Sequence, residues 1–303
     1  MCRKLLWVGI LFCLGMGQLI GQQVPDTSFQ VNITEKAFPK NDGPVIAIDE
    51  GHHNFHTIDG RYHTFAWILR KDGYRVQRHK NAFITKGLAQ VDILVIANAI
   101  HRKNVQDWSL PNPSAFTDKE INVLEKWVRN GGKLFLIADH MPFPGAAESL
   151  ASRFGFEMTN SFAFDKRKRN PEFFVRADSS LNSNSVTNGI LPYQRIDTVV
   201  TFTGQGFYIP AEATPVLTLT EDYVLALPEV AWQFEEKTEY RSAAGTHQLA
   251  YRGYGKGKLV VSGEAAMFSA QIAQGQYKMG LNKPEARQNI QLLLNLIHWL
   301  SAN

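Results

Sequence analysis

The chain is nearly without cysteine. Cys2 and Cys13 are the two in 303 residues, so nothing after Cys13 can form a disulfide, a thiolate metal site or a cysteine nucleophile. Long apolar runs are missing as well. The stretch Leu5–Leu14 is interrupted by Gly9 and falls short of the roughly 20 apolar residues a membrane span requires. Neither charge sign dominates: 32 basic residues face 28 acidic ones, for a net charge of +4. A nucleic-acid binder needs a broad basic face. The one dense basic run, Lys166-Arg167-Lys168-Arg169, reads as a solvated loop, and nucleic acid is not expected as a partner. There is no internal repeat and no low-complexity tract.

What is present suffices for a large core, with 44% hydrophobic and 11% aromatic residues, a balance that argues against disorder. The first 22 residues have the three-part layout of a secretory signal peptide. Arg3 and Lys4 precede the apolar stretch, and small and polar residues follow it up to Gly21-Gln22-Gln23. Export to the periplasm or medium is expected, with no membrane span once the signal is removed; an uncleaved anchor is the other reading. Residues 23–43 read as a linker or edge segment, and 44–303 as one α/β domain.

Val45-Ile46-Ala47-Ile48, Ile93-Leu94-Val95-Ile96-Ala97 and Leu134-Phe135-Leu136-Ile137-Ala138 are unbroken apolar runs, the pattern of strands buried on both faces. Tyr74–Gln77 reads as a further strand. Between the runs lie helical patterns. Arg61–Lys71 carries Phe65, Ile68 and Leu69. Thr117 and Glu120 form a capping box ahead of Ile121, Leu124, Trp127 and Val128, and Asn130-Gly131-Gly132 stops that helix. Ala146–Phe154 is a third helix. Strand–helix alternation with short joins predicts parallel pairing with right-handed crossovers: a flavodoxin-like parallel sheet with helices on both faces. Residues 155–246 break the pattern with short alternating runs and scattered Pro, Gly and Asn, and read as a mixed β and loop insertion. The pattern then resumes as a hairpin, His247–Arg252 with Lys258–Ser262, and a final helix from Pro284.

In open parallel sheets, sites form beyond the carboxyl ends of the strands. Those ends run into Asp49-Glu50-Gly51-His52-His53-Asn54-Phe55-His56, Asn98-Ala99-Ile100-His101, Asp139-His140 and Gly263-Glu264. Four strand ends would thus deliver acids, imidazoles and amides to one rim. Asp139, His140, Glu50 and His52 are the candidate catalytic residues, and His53, His56, Asn98 and Glu264 the candidate ligand contacts. Between Asp49 and His63, histidine and carboxylate together suit a divalent metal. Two other readings stay open there: imidazoles bonded to backbone in a tight connection, or a polar pocket without metal. Asp139-His140 sits at a strand-to-helix elbow where α/β enzymes present a nucleophile; the pair could work as base and proton carrier, or cap the loop and pack. Glu264 could orient a histidine, bridge to Arg61 or cap the next segment.

The strand ending in Asp49-Glu50-Gly51-His52, the block Thr117–Asp139 with its Gly131-Gly132 turn, the run Leu136–His140 and Gly263-Glu264-Ala265-Ala266-Met267-Phe268 resemble the class I glutamine amidotransferase-like superfamily, and within it an uncharacterised domain-of-unknown-function branch. The working members place a cysteine at the elbow where this chain has Asp139-His140, so the resemblance does not carry glutaminase activity over. The trehalose-utilisation-like branch also has a histidine near that elbow and is linked to sugar metabolism. The resemblance therefore implies either a hydrolase or carbohydrate-modifying enzyme without a cysteine nucleophile, acting on a small-molecule or glycan ligand, or a non-catalytic ligand-binding or envelope-assembly module that kept the fold.

Overall fold

The structure, a computed structural model, describes residues 23–302, so the expected signal segment lies outside the described residues. Nine strands build the main sheet: β1 (Val45–Asp49), β2 (Arg75–His79), β3 (Ile93–Ala97), β4 (Lys133–Ile137), β5 (Glu157–Met158), β6 (Phe207–Tyr208), β7 (Thr214–Thr218), β8 (His247–Tyr254) and β9 (Gly257–Ser262). Their order is β2-β1-β3-β4-β9-β8-β6-β5, with β7 also paired to β8. The first five of these strands are mutually parallel, which is the doubly wound flavodoxin-like arrangement. β8 returns antiparallel to β9 through the expected hairpin.

Helices α1 (His63–Lys71), α2 (Asp118–Arg129), α3 (Phe143–Arg153) and α4 (Arg287–Ser301) cover both faces. The reason lies in the strand pleat, which sends alternate side chains to opposite layers. Ile46, Ile48, Val95 and Phe135 pack with Phe65 and Leu69 of α1 and Leu293 and Ile297 of α4. Ala47, Leu94, Ile96 and Leu134 pack with Leu124 and Val128 of α2 and Leu150 of α3. Each large aliphatic side chain buried this way contributes about 1.5–3 kcal/mol, which explains why the central runs are apolar at every position. β2 differs: it is an edge strand with exposed Arg75, Gln77 and Arg78, and charge on an edge discourages pairing with other chains. It also runs to His79, two residues past the expected end.

The insertion is woven into the sheet, since β5, β6 and β7 all lie within it. Around them, Phe162–Asp165, Tyr223–Leu227 and Glu239–Ser242 form a small antiparallel sheet, and Glu172–Val175 pairs with Thr198–Thr201. Gln23–Pro25 is the edge strand of a third small sheet, against Ala270–Ala273. The basic run is only partly a solvated loop. Arg167 and Arg169 both fold back onto the buried carboxylate of Asp165.

Candidate functional site

Beyond the carboxyl ends of β1, β3, β4 and β9 lies a small pocket of about 70 Å³, lined by His56, Asn98, Asp139, His140 and Glu264 and walled by Phe55, Phe143 and Trp232. A cavity needs only about 10–15 Å³ to hold one water, so this one admits a polar head group of a few atoms. Five of the eight expected site residues therefore converge. Glu50, His52 and His53 do not join them.

Each of those three is placed elsewhere for a physical reason. Glu50 accepts the Ile58 N–H at 2.8 Å and pairs with Arg78 at 3.2 Å, which fixes the loop after β1. His53 is exposed, with φ near +50°. His52 is buried between two carboxylates. Its Nδ1 lies 2.9 Å from both Asp49 oxygens, its Nε2 lies 3.0 Å from Glu120 Oε1, and its ring stacks on Phe83. Of the readings left open there, backbone bonding does not hold for His52, since both ring nitrogens face acids. Burial pulls the His52 pKa down, but the hydrogen bonds and charge of Asp49, then of Glu120, outweigh this and leave it raised. His52, expected among the catalytic residues, is thus a buried clamp between two carboxylates, set apart from the pocket. Glu120 completes the capping box with Thr117 through one oxygen and takes His52 and the Phe83 N–H through the other. Burial pushes it up, but these bonds, that of His52 foremost, hold it at about 2. Among the described residues no group of three His, Cys, Asp or Glu side chains is placed to hold a metal ion.

Within the pocket, hydrogen bonds fix polarity. Asn98, with φ near +50°, accepts the Asp139 N–H through Oδ1 at 2.9 Å. Its Nδ2 must therefore donate to His56 Nδ1, 3.2 Å away. Burial, and then the charges of Arg61 and His140, hold the His56 pKa well below the ordinary range. A neutral imidazole that accepts at Nδ1 carries its proton on Nε2, and that buried nitrogen has no protein partner. An unpartnered buried donor costs about 1–3 kcal/mol, so a ligand oxygen that meets it gains that much.

The two acids are buried. Burial raises the Asp139 pKa, and His140 and the backbone N–H groups of His140 and Ala265 pull it partly back. Glu264 is fully buried and pushed further, well above the carboxylate range, by burial and then by the charge of Asp139. Its oxygens accept the N–H groups of Ala266 at 2.9 Å and Met267 at 2.6 Å, so it does cap the next segment. Arg61 is not its partner: that guanidinium lies over the Phe55 ring at 3.7 Å. His140 donates Nδ1–H to the Met141 carbonyl at 2.7 Å, which leaves Nε2 as an acceptor in the neutral ring.

Three residues here were missed by sequence reasoning. Trp232 sits edge-on to His140 and Phe162, each at 4.7 Å, and remains half exposed with φ near +66°. Thr203 lines the pocket with φ near +130°. Left-handed backbone at a bulky or β-branched residue is a local strain that packing must hold. Gly204 follows because a Cβ there would lie 2.2 Å from the Gly263 carbonyl oxygen. We expect Gly204→Ala to cost about 1–3 kcal/mol through forced backbone displacement, read as a lower midpoint in urea unfolding; an unchanged midpoint would show that the Gly263-Glu264 turn has room to shift.

No family model matches the chain, and no curated protein matches it. Among solved structures, it is similar to the mmIFT52 N-terminal domain, with 16% identity, 85% of this chain and 98% of that one covered, and a TM-score of 0.61. The likeness is one of fold. It is also similar, at TM-scores of 0.46 and 0.41, to a ThuA-like protein from Bacteroides uniformis (11% identity, covering 90% of this chain and 95% of that one) and to a GMP synthase-type protein from Thermoplasma acidophilum (11% identity, 85% and 97%).

Proposed function

We propose that this chain is an exported enzyme of carbohydrate chemistry, from a branch of the glutamine amidotransferase-like fold in which a buried acid pair stands where the cysteine nucleophile would be. The observation that carries the reading is the pairing of Glu264 and Asp139 beside the free Nε2–H of His56, beneath a half-exposed tryptophan. Glu264 is the acid that keeps its proton, and Asp139 ionises first. In a hydrolysis, Glu264 protonates the leaving oxygen, Asp139 takes a proton from the attacking water, and His56 donates to a ligand oxygen. A neutral, hydroxyl-rich ligand suits such a pocket, because a charged one would be desolvated without an opposite charge. Trp232 offers a ring face to the apolar side of a sugar.

The small volume favours the alternative, a binding module that holds one terminal group without turnover. Calorimetry with a panel of mono- and disaccharides, beside release of nitrophenol from the matching nitrophenyl glycosides, separates the two. Binding with release supports the enzyme, and binding without release the module. Trp232→Ala should weaken binding about tenfold, the worth of one lost aromatic contact. No binding to any member of the panel would remove the carbohydrate reading.

A further inference from the structure

A second, wider concavity lies at the opposite end of the sheet from this pocket. It is a groove of about 790 Å³ between α2, the turn Thr85–Leu88 and the amino-terminal ends of β3 and β4, within the range of ligand-binding clefts. One stripe of α2 faces it: Lys119, Asn122, Val123, Lys126, Trp127 and Asn130, spaced as a single helical face is. None of the three acids of the helix lines the groove, and exposed Asp118 sits in its first turn. Glu120 is held by His52, and Glu125 bonds Arg129 and Tyr254 on the other flank. Lys133 at the start of β4 adds a third ammonium. None of these three lysines forms an ion pair among the described residues. Asp92, the one carboxylate in the lining, accepts the Val45 N–H at 2.8 Å. The floor is apolar, made by Leu88, Val91 and Val123. Gly132 leaves room for the Trp127 ring, since a Cβ there would lie 2.3 Å from it. The indole is thereby held against the backbone at the edge of the groove.

We infer that this groove is a docking site for an extended acidic peptide segment of a partner protein, with carboxylates on Lys119, Lys126 and Lys133 and an apolar side chain against Trp127 and Val123. The charges argue for this occupant: three free ammonium groups flank an apolar floor, which matches a chain that alternates acidic and apolar residues. The length fits too. The stripe from Lys119 to Asn130 rises about 16 Å along the helix, the span of about five extended residues. An extended chain also presents alternate side chains to one face, so acids and apolar groups can be sorted between the lysines and the floor.

The test uses the whole protein and a fluorescein-labelled Glu-Phe-Glu-Leu-Glu-Phe-Glu peptide, followed by fluorescence anisotropy, with the matching lysine peptide, heparin oligosaccharide and short duplex DNA as competitors. Saturable binding is expected, weakened several-fold between low and physiological salt. The double variant Lys119→Glu/Lys126→Glu, both positions exposed, should weaken it at least about tenfold. Its circular dichroism should match that of the unaltered chain. Trp127→Leu keeps the charges and should weaken binding without changing the salt dependence. The inference is overturned if the peptide does not bind, if the charge-reversed variant binds equally well, or if heparin or DNA displaces the peptide at far lower concentration than unlabelled peptide does.

Discussion

Glu264→Gln and Asp139→Asn should each lower turnover by about 10²–10⁴-fold, the range for loss of a positioned acid or base, while both variants fold. The reasoning rests on how each acid is held. Gln at position 264 cannot protonate a leaving group. It also turns an NH2 toward one of the two N–H groups that the carboxylate now accepts from Ala266 and Met267. That lost bond lowers stability by about 1 kcal/mol, whereas removal of a buried ionisable group raises it. The opposing terms leave the fold intact. The pH profiles should differ as well. Burial and the charge of Asp139 raise the Glu264 pKa above the ordinary carboxyl value, so activity that needs its proton should decline on the alkaline side, at a higher pH than an ordinary carboxyl would set. Asp139, raised less, sets the acid limb. The decisive measurement is the pH dependence of kcat/KM for the unaltered chain and both variants on the best glycoside of the panel. Full activity in Glu264→Gln would show that the acid pair is structural.

His52→Ala should cost about 3–5 kcal/mol of folding stability, because it leaves Asp49 and Glu120 as buried carboxylates with their shared counter-charge removed. The clamp also predicts a shape for stability against pH. The His52 pKa is raised in the folded state above its ordinary 6.5. Its contribution is therefore complete below about pH 6.5 and is lost as pH rises through the folded value. The Glu120 pKa is depressed from 4.5 to about 2. Its contribution is complete above about pH 4.5 and is lost as pH falls toward 2. The pair accordingly gives its full contribution between about pH 4.5 and 6.5, and urea midpoints for the unaltered chain should fall on both sides of that window. In His52→Ala the alkaline decline should flatten. A decline of equal slope in that variant would assign the pH dependence to other groups.

The sheet could be read from the sequence because burial on both faces leaves only one kind of residue acceptable along β1, β3 and β4, and such a run needs no partner to be seen. The Thr117–Glu120 cap was legible for a similar reason, since both halves lie within four residues. The other half of Glu120's role was not legible. Its bond to His52 crosses 68 positions, and nothing local marks it, so His52 was grouped with the site when it belongs to the support beneath. Asp139, His140, Asn98 and Glu264 came through because each follows directly on a recognisable strand, where topology alone fixes the location. His56 lies seven residues past the end of β1 and was reached only as a member of its cluster. Trp232 belongs to a segment with no periodic pattern, and only its contacts with His140 and Phe162 bring it to the rim.

The acid pair and the tryptophan come from different stretches of chain. Asp139 and Glu264 are fixed by β4 and β9 of the parallel core, whereas Trp232 rides on the insertion. Because β5, β6 and β7 are stitched into the same sheet, the loop that carries the indole is anchored to the framework rather than hinged over it. On the proposed function, reaction and recognition are thereby encoded in separable parts of the chain. Recasting the 155–246 segment on an unchanged core offers a route to altered ligand preference with the acids left in place.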